Sequence, residues 1–132
     1  MLLQKRAPEK YHSGGLWSNA CCGHPYPGEE INLAAVRRLH EEMGFTTYLK
    51  KIFDFTYHIS FESGLTENEF DHVFVGEYDG DIQPDANEVS DYSFTSLSEI
   101  KADLSERPGM YTGWFQIAFP EIEGWWKEKK RQ

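Results

Sequence analysis

The segment from Gly23 to Phe45 specifies a loop, a helix and a second loop within one short run of sequence. Five residues separate Gly23 from Glu29, and seven separate Glu29 from Arg37; Leu39, Glu41, Glu42, Gly44 and Phe45 complete the pattern. Residues 29–43 are predicted to form one amphipathic helix, because Ile31, Ala34, Ala35 and Leu39 recur at three- and four-residue intervals. Glu29 and Glu30 are expected near its N-terminus, where the helix dipole favours negative charge. Gly44 stands where a left-handed C-cap is expected.

On such a helix Arg38 and Glu42 are four apart and share a face, with Glu41 near the same edge. A carboxylate beside a guanidinium can hold Mg²⁺ and a diphosphate together. The carboxylate ligates the hard cation, and the guanidinium pairs the phosphate oxygens. Taken alone, two arginines followed by two glutamates read as a solvated helix laced by salt bridges. The complete pattern, with both glycines in place, favours the diphosphate site.

The chain has 132 residues, enough for one domain with a real core. Aromatic residues make up 15%, which suits a dense core or a deep apolar cavity. A net charge of −9 argues against general binding to DNA or RNA. A local basic pocket remains possible, and Lys5, Arg6 and Lys10 form such a cluster. No apolar run approaches membrane-spanning length, and no secretory signal is visible. The two cysteines, Cys21 and Cys22, are adjacent, a geometry too strained for a bridge; reduced thiols in a cytoplasmic protein fit best. Oligomeric state is left open.

Residues 1–6 read as a strand, the second half of a hairpin, so an upstream segment is expected. Residues 7–15 read as a loop, Leu16–Cys22 as a short strand and Gly23–Gly28 as a turn. Tyr48–Glu62 is rich in aromatic and β-branched residues and predicts a strand, then a turn at Ser63-Gly64. Glu69–Tyr78 and Glu88–Phe94 are further strands. Ser96-Leu97-Ser98-Glu99 is a capping box opening a helix to about Glu106. Met110–Phe119 is expected to be a helix ended by Pro120, with a separate short helix around Trp125-Trp126. Strands alternating with helices give an α/β (α+β) sandwich.

Three further groups carry candidate chemistry. Cys22, on the turn before the helix, can act as acid or base if nearby cations and the helix N-terminus lower its pKa. By itself it is more often a buried small hydrophobe, and His24 more often a structural histidine. Glu67 and Glu69 point to the same face of an extended chain. Two such carboxylates repel unless a cation lies between them, and a divalent metal with His24 as third ligand answers that; two solvated glutamates are the bland alternative. Tyr57 and Trp114 are either core residues or a π face for a cation.

The segments KRAPEKYHSGGLWSNACCGHP, AAVRRLHEEMGF, TENEF and MYTGWF occur in this order and cover nearly the whole chain. Together they resemble the Nudix superfamily and, within it, type 1 isopentenyl diphosphate isomerase, with Arg38 where Nudix hydrolases carry a glutamate. The resemblance implies a Nudix-type α/β/α sandwich with a mixed central sheet, forming one isomerase domain over residues 1–132. It implies that Cys22 is catalytic and that Glu69 is the acid/base on the opposite face of the substrate. Tyr57 would orient Glu69, and the Trp114 ring would face the cationic intermediate. Arg6, Lys10 and Arg38 would contact the diphosphate, and Glu42 would hold Mg²⁺ with it. His24, Glu67 and Glu69 would ligate a second divalent metal, Mn²⁺, Zn²⁺ or Mg²⁺.

The reaction agrees with these residue types. Moving a double bond in isopentenyl diphosphate adds a proton to one carbon and removes another from its neighbour. The tertiary carbocation between these steps needs a dry pocket, a π face and a base. The resemblance also implies two histidine ligands upstream of Lys5. His12, His40, His58 and His72 are poor substitutes on spacing, so an incomplete metal site is expected of these residues alone. An ordinary Nudix pyrophosphohydrolase is disfavoured by Arg38, which removes a metal-assembling carboxylate. A non-catalytic diphosphate-binding relative or an inactive fragment is the other alternative.

Overall fold

The computed structural model describes residues 1–10, 13–60, 64 and 66–131, with the backbone alone for Ile59, Glu67 and Asn68. His12, the end of the predicted strand at Glu62 and Ser63 of the predicted turn therefore lie outside the described residues. Chain order is β1 (Leu2–Arg6), β2 (Trp17–Asn19), α1 (Ile31–Met43), β3 (Lys50–Ser60), β4 (Thr66–Val75), β5 (Val89–Phe94), α2 (Leu97–Glu106), a 3-10 turn (Pro108–Met110) and α3 (Gly113–Lys130).

β1 is the middle of a three-strand sheet, antiparallel to both β2 and β5. Its alternation divides the core. Leu3 packs with Ile100, Tyr111, Phe115 and Phe119 on the α2/α3 side. Leu2 joins the cluster of Leu39, Met43, Phe45 and Val89 on the α1 side, where Gln4 also meets Glu42. The register shifts between Lys5 and Arg6, and such a bulge re-aims the side chain beside it. β3 and β4 form a separate antiparallel hairpin whose Phe55 and Tyr57 pack on the α2/α3 cluster. A parallel element enters the sheet through a bridge between Trp17 and Tyr111.

α1 ends as expected, with Gly44 at φ 77°. It begins later, at Ile31, with Glu30 as N-cap. Glu29 stays outside the helix because its carboxylate is taken by Arg37 Nε at 2.9 Å and by the Tyr26 N–H at 2.9 Å. Of the expected apolar stripe, Ala34 and Leu39 are buried, whereas Ile31 is exposed. The capping box at Ser96 forms, its Oγ accepting from the Glu99 N–H at 3.2 Å.

Other boundaries also differ from expectation: β3 begins at Lys50 and α3 at Gly113, later than expected. β2 stops at Asn19, whose Nδ2 donates to the Cys21 carbonyl at 2.7 Å and turns the chain, so both cysteines lie beyond the strand. β4 begins at Thr66 and ends at Val75, earlier at both ends than expected. Pro120 does not end a helix: α3 runs through it to Lys130, absorbing the separate tryptophan helix. The missing N–H at Pro120 is outweighed by burial on both sides of it. Phe115, Ala118 and Phe119 are buried before it, and Ile122 packs on the same cluster after it. Thr112 caps the start, its Oγ1 accepting from the Phe115 N–H at 3.3 Å.

Candidate active site

Cys22 lies between β2 and α1 in a knot of hydrogen bonds. The Trp114 Nε1–H donates to Ser18 Oγ at 2.9 Å, with Cys22 Sγ at 3.2 Å and Asn19 Oδ1 at 3.3 Å from the same nitrogen. The thiol itself reaches Asn19 Oδ1 at 3.4 Å, and Thr112 donates to Ser18 at 3.2 Å from below. The expected lowering of the thiol pKa is overturned. Burial pushes Cys22 up to about 11, and the Glu42 carboxylate adds to it, outweighing the hydrogen bond from Ser18 and the charge of Arg6. At neutral pH Cys22 is a protonated thiol.

Glu69 stands on β4 directly across from Tyr57 on β3. Tyr57 donates its hydroxyl to Glu69 Oε2 at 3.4 Å, and His24 Nε2 lies 3.3 Å from Glu69 Oε1. The loop carrying Cys22 and His24 is tied down by Arg37, which donates to the His24 carbonyl at 3.1 Å and lies over the Tyr26 ring at 3.8 Å. Gly23 between them cannot carry a side chain without rearrangement, since a Cβ there would fall 2.5 Å from Arg38 Nε.

The charged end of the site centres on Arg38. It donates to Glu41 at 2.6 Å, to Glu42 at 3.0 Å and to both oxygens of Glu88 at 3.0 and 3.1 Å. Lys10 Nζ lies 3.5 Å from Glu88. Arg6 is buried, with its guanidinium 5.1 Å from the Trp114 ring centroid. Glu42 is 2% exposed and engaged at both oxygens: Gln4 donates to Oε1 at 2.9 Å, and Cys21 Sγ at 3.2 Å and Arg38 at 3.0 Å donate to Oε2. Burial raises the Glu42 pKa, while Gln4 and Arg38 oppose that rise.

One open cleft of about 2030 Å³ is lined by Arg6, Lys10, Cys22, His24, Arg38, Tyr57, Glu69 and Trp114. Glu42 lies beneath it, and the Glu67 side chain is outside the described residues. The cleft extends past Phe55 and Phe70 to Trp125 and Trp126, a largely aromatic wall. By donor type the residues suit divalent cations, although the Glu42 oxygens are already taken by Gln4, Cys21 and Arg38. Around Arg38 the donors are carboxylate oxygens alone, as Mg²⁺ prefers. At Glu69 an imidazole nitrogen meets a carboxylate, as Mn²⁺ or Zn²⁺ accepts. Among the described residues no three such groups stand close enough together to hold an ion. His40 and His58 are exposed, and His72 packs edge-on to Phe70.

Sequence reasoning missed five contributors. Ser18 and Asn19, inside the SNACC run, hold the thiol and the indole. Gln4 and Cys21 hold Glu42, and Glu88 holds Arg38 and Lys10. Only the SNACC run offered a signal; the others act across 38 and 50 residues of chain, which no local pattern reports.

The NUDIX domain model matches residues 1–115. The isopentenyl-diphosphate Delta-isomerase of Pectobacterium atrosepticum is 47% identical over all of this chain, which spans 74% of that protein. Isopentenyl-diphosphate Delta-isomerase 1 of Aromatoleum aromaticum is 49% identical over 92% of the chain and 69% of its own length. Among solved structures, the MutT protein of Methanosarcina mazei superposes at a TM-score of 0.75 with 21% identity, over 92% of this chain and 81% of that one. A C. elegans Ap4A hydrolase superposes at 0.60 with 17% identity, over 96% and 86%. These two carry the fold alone. The family match over residues 1–115 and the identity to these isomerases across nearly the whole chain show that it belongs to the isopentenyl-diphosphate Delta-isomerases of the NUDIX family.

Proposed function

We infer that the chain interconverts isopentenyl diphosphate and dimethylallyl diphosphate by protonation and deprotonation through a tertiary carbocation. The observation that supports this best is the pairing of a protonated Cys22 thiol with a Tyr57-bound Glu69 carboxylate in one cleft. Cys22 gives its Sγ proton to the terminal methylene carbon. The π electrons form the new C–H bond, leaving the positive charge on the tertiary carbon. Glu69 takes a proton from the neighbouring CH₂, and those C–H electrons become the new double bond. Tyr57 keeps the Glu69 carboxylate aimed, and the Trp114 ring lies beside the thiol to favour the cation. The aromatic wall lowers the polarity beside the cation, which water would otherwise capture as an alcohol.

Arg6, Lys10 and Arg38 hold the diphosphate and orient the carbon chain. When bound, Mg²⁺ at Glu42 would offset diphosphate charge, and a second divalent ion at His24, Glu67 and Glu69 would set the proton affinity of Glu69. Free thiols at Cys21 and Cys22 suit a cytoplasmic enzyme.

The test is incubation of isopentenyl diphosphate with the protein in deuterated water and divalent metal. Deuterium-bearing dimethylallyl diphosphate is the expected product. Release of phosphate or nucleoside monophosphate from nucleoside diphosphate derivatives, with no isomer formed, would instead make it a hydrolase.

A further inference from the structure

Among the described residues, Glu88 is the one carboxylate that contacts both Arg38 and Lys10. Its position is set by the main chain: the Glu88 N–H donates to the Asp85 carbonyl at 2.9 Å, and its own carbonyl accepts from the Ala7 N–H at 3.0 Å. Arg38 does not need Glu88 for charge balance, because Glu41 and Glu42 already bind it. Around this point Arg37, Arg38 and Lys10 pair with Glu29, Glu41, Glu42 and Glu88, and Arg6 lines the same cleft. Glu42 and Glu88 meet the same Arg38 nitrogen from two sides.

A bare diphosphate reaching Arg38 and Lys10 therefore has to compete with Glu88 for cations that are already occupied. A diphosphate carrying a divalent ion does not, since the ion offsets the repulsion from Glu42 and Glu88 together. We propose that Glu88 is a specificity-determining residue: an internal anion that holds Arg38 and Lys10 in place and makes diphosphate binding conditional on a divalent cation. This rests on the reading that Arg38 and Lys10 bind the substrate's diphosphate. It concerns selection between metal-borne and free anions, which a hydrophobic cleft cannot make by shape. Were Glu88 only a brace for the two cations, its removal would loosen them and weaken both kinds of binding alike.

The experiment is isothermal titration of the full chain with inorganic pyrophosphate, in excess Mg²⁺ and in chelator, for the parent and Glu88→Gln. Thermal unfolding checks that each variant is folded. The parent is expected to bind in Mg²⁺ and to lose most of that affinity in chelator. Glu88→Gln is expected to bind metal-free pyrophosphate about tenfold or more tighter than the parent, because one opposing charge at contact range is gone. Its ratio of affinities with and without Mg²⁺ shrinks accordingly. Metal-free binding unchanged or weakened in folded Glu88→Gln overturns the proposal. Glu88→Asp, which keeps the charge but withdraws it by one methylene, serves if the amide does not fold. It should move the ratio the same way by a smaller factor, and no movement overturns the proposal. If Lys10→Gln and Arg38→Lys leave Mg²⁺-pyrophosphate binding intact in the parent background, the diphosphate reading itself fails, whatever Glu88 does.

Discussion

Trp114 and Cys22 are held by one donor: the indole Nε1 stands 3.2 Å from the thiol sulfur and 2.9 Å from Ser18 Oγ. The π ring and the acid are thus fixed together rather than placed by separate elements. The ring already accepts a cation, since the Arg6 guanidinium lies 5.1 Å from its centroid.

Replacing Trp114 by Leu keeps an apolar wall and removes both the π face and the N–H. Cation–π interactions in dry sites are worth about 1–2 kcal/mol, so kcat should fall by roughly 5- to 30-fold while KM changes little. Steady-state kinetics of the isomerisation check this. A rise in KM with kcat intact would make Trp114 a wall of the binding site and no more.

Cys22 should resist alkylation at pH 8 and become reactive only as pH approaches about 11, because burial holds the thiol protonated. Mass spectrometry of the iodoacetamide-treated peptide, separating Cys21 from Cys22, gives the profile. The linked stability has a definite sign. The folded pKa lies above the ordinary value of 9.0, so the contribution is complete below about pH 9 and is lost as pH rises towards 11. Cys22→Ala should flatten that part of the stability curve. Fast alkylation of Cys22 at pH 7 would show a thiolate and reverse its role as donor.

Arg38→Glu is expected to destabilise the fold as well as abolish diphosphate binding. Glu42 is 3% exposed in its side chain and Arg38 19%. Removing the guanidinium leaves Glu42 short of a cation and adds another negative charge beside it, at a cost of at least about 2 kcal/mol. Arg38→Lys keeps the charge and loses the fork, so it should fold and bind pyrophosphate about tenfold more weakly. Denaturant unfolding and titration separate the two effects. Equal stability of the parent and Arg38→Glu would make Arg38 a surface charge.

The box helix, its αL end at Gly44, the capping box at Ser96 and the shared face of Arg38 and Glu42 were all legible, because each depends on spacing within a few residues. The Tyr57–Glu69 pairing became legible through resemblance alone, since strand register is set by the whole hairpin. Glu29 was misplaced into α1 because its partner, Arg37, lies eight residues on and outcompetes the dipole. Pro120 misled for a related reason: a local breaker was outweighed by burial that only the folded core supplies. The thiol pKa was read from its cationic neighbours, whereas desolvation, which a sequence does not display, dominates.

Cys21 and Cys22 separate by partner rather than by strand alternation. β2 ends before them, yet Cys21 Sγ turns to Glu42 Oε2 at 3.2 Å while Cys22 turns to Trp114 and Asn19. Cys22→Ala should remove turnover and leave Mg²⁺-pyrophosphate binding close to that of the parent. Cys21→Ala should do the reverse in miniature. It removes one of the hydrogen bonds that hold the buried Glu42 carboxylate, a loss of about 1 kcal/mol, so the Mg²⁺ needed for half-maximal rate should rise about fivefold with kcat retained at saturating metal. Kinetics of both variants over a Mg²⁺ series read this directly. Equal loss of kcat in the two variants at saturating Mg²⁺ would mean that the thiols share one task, and the assignment of Cys22 as the proton donor would fall with it.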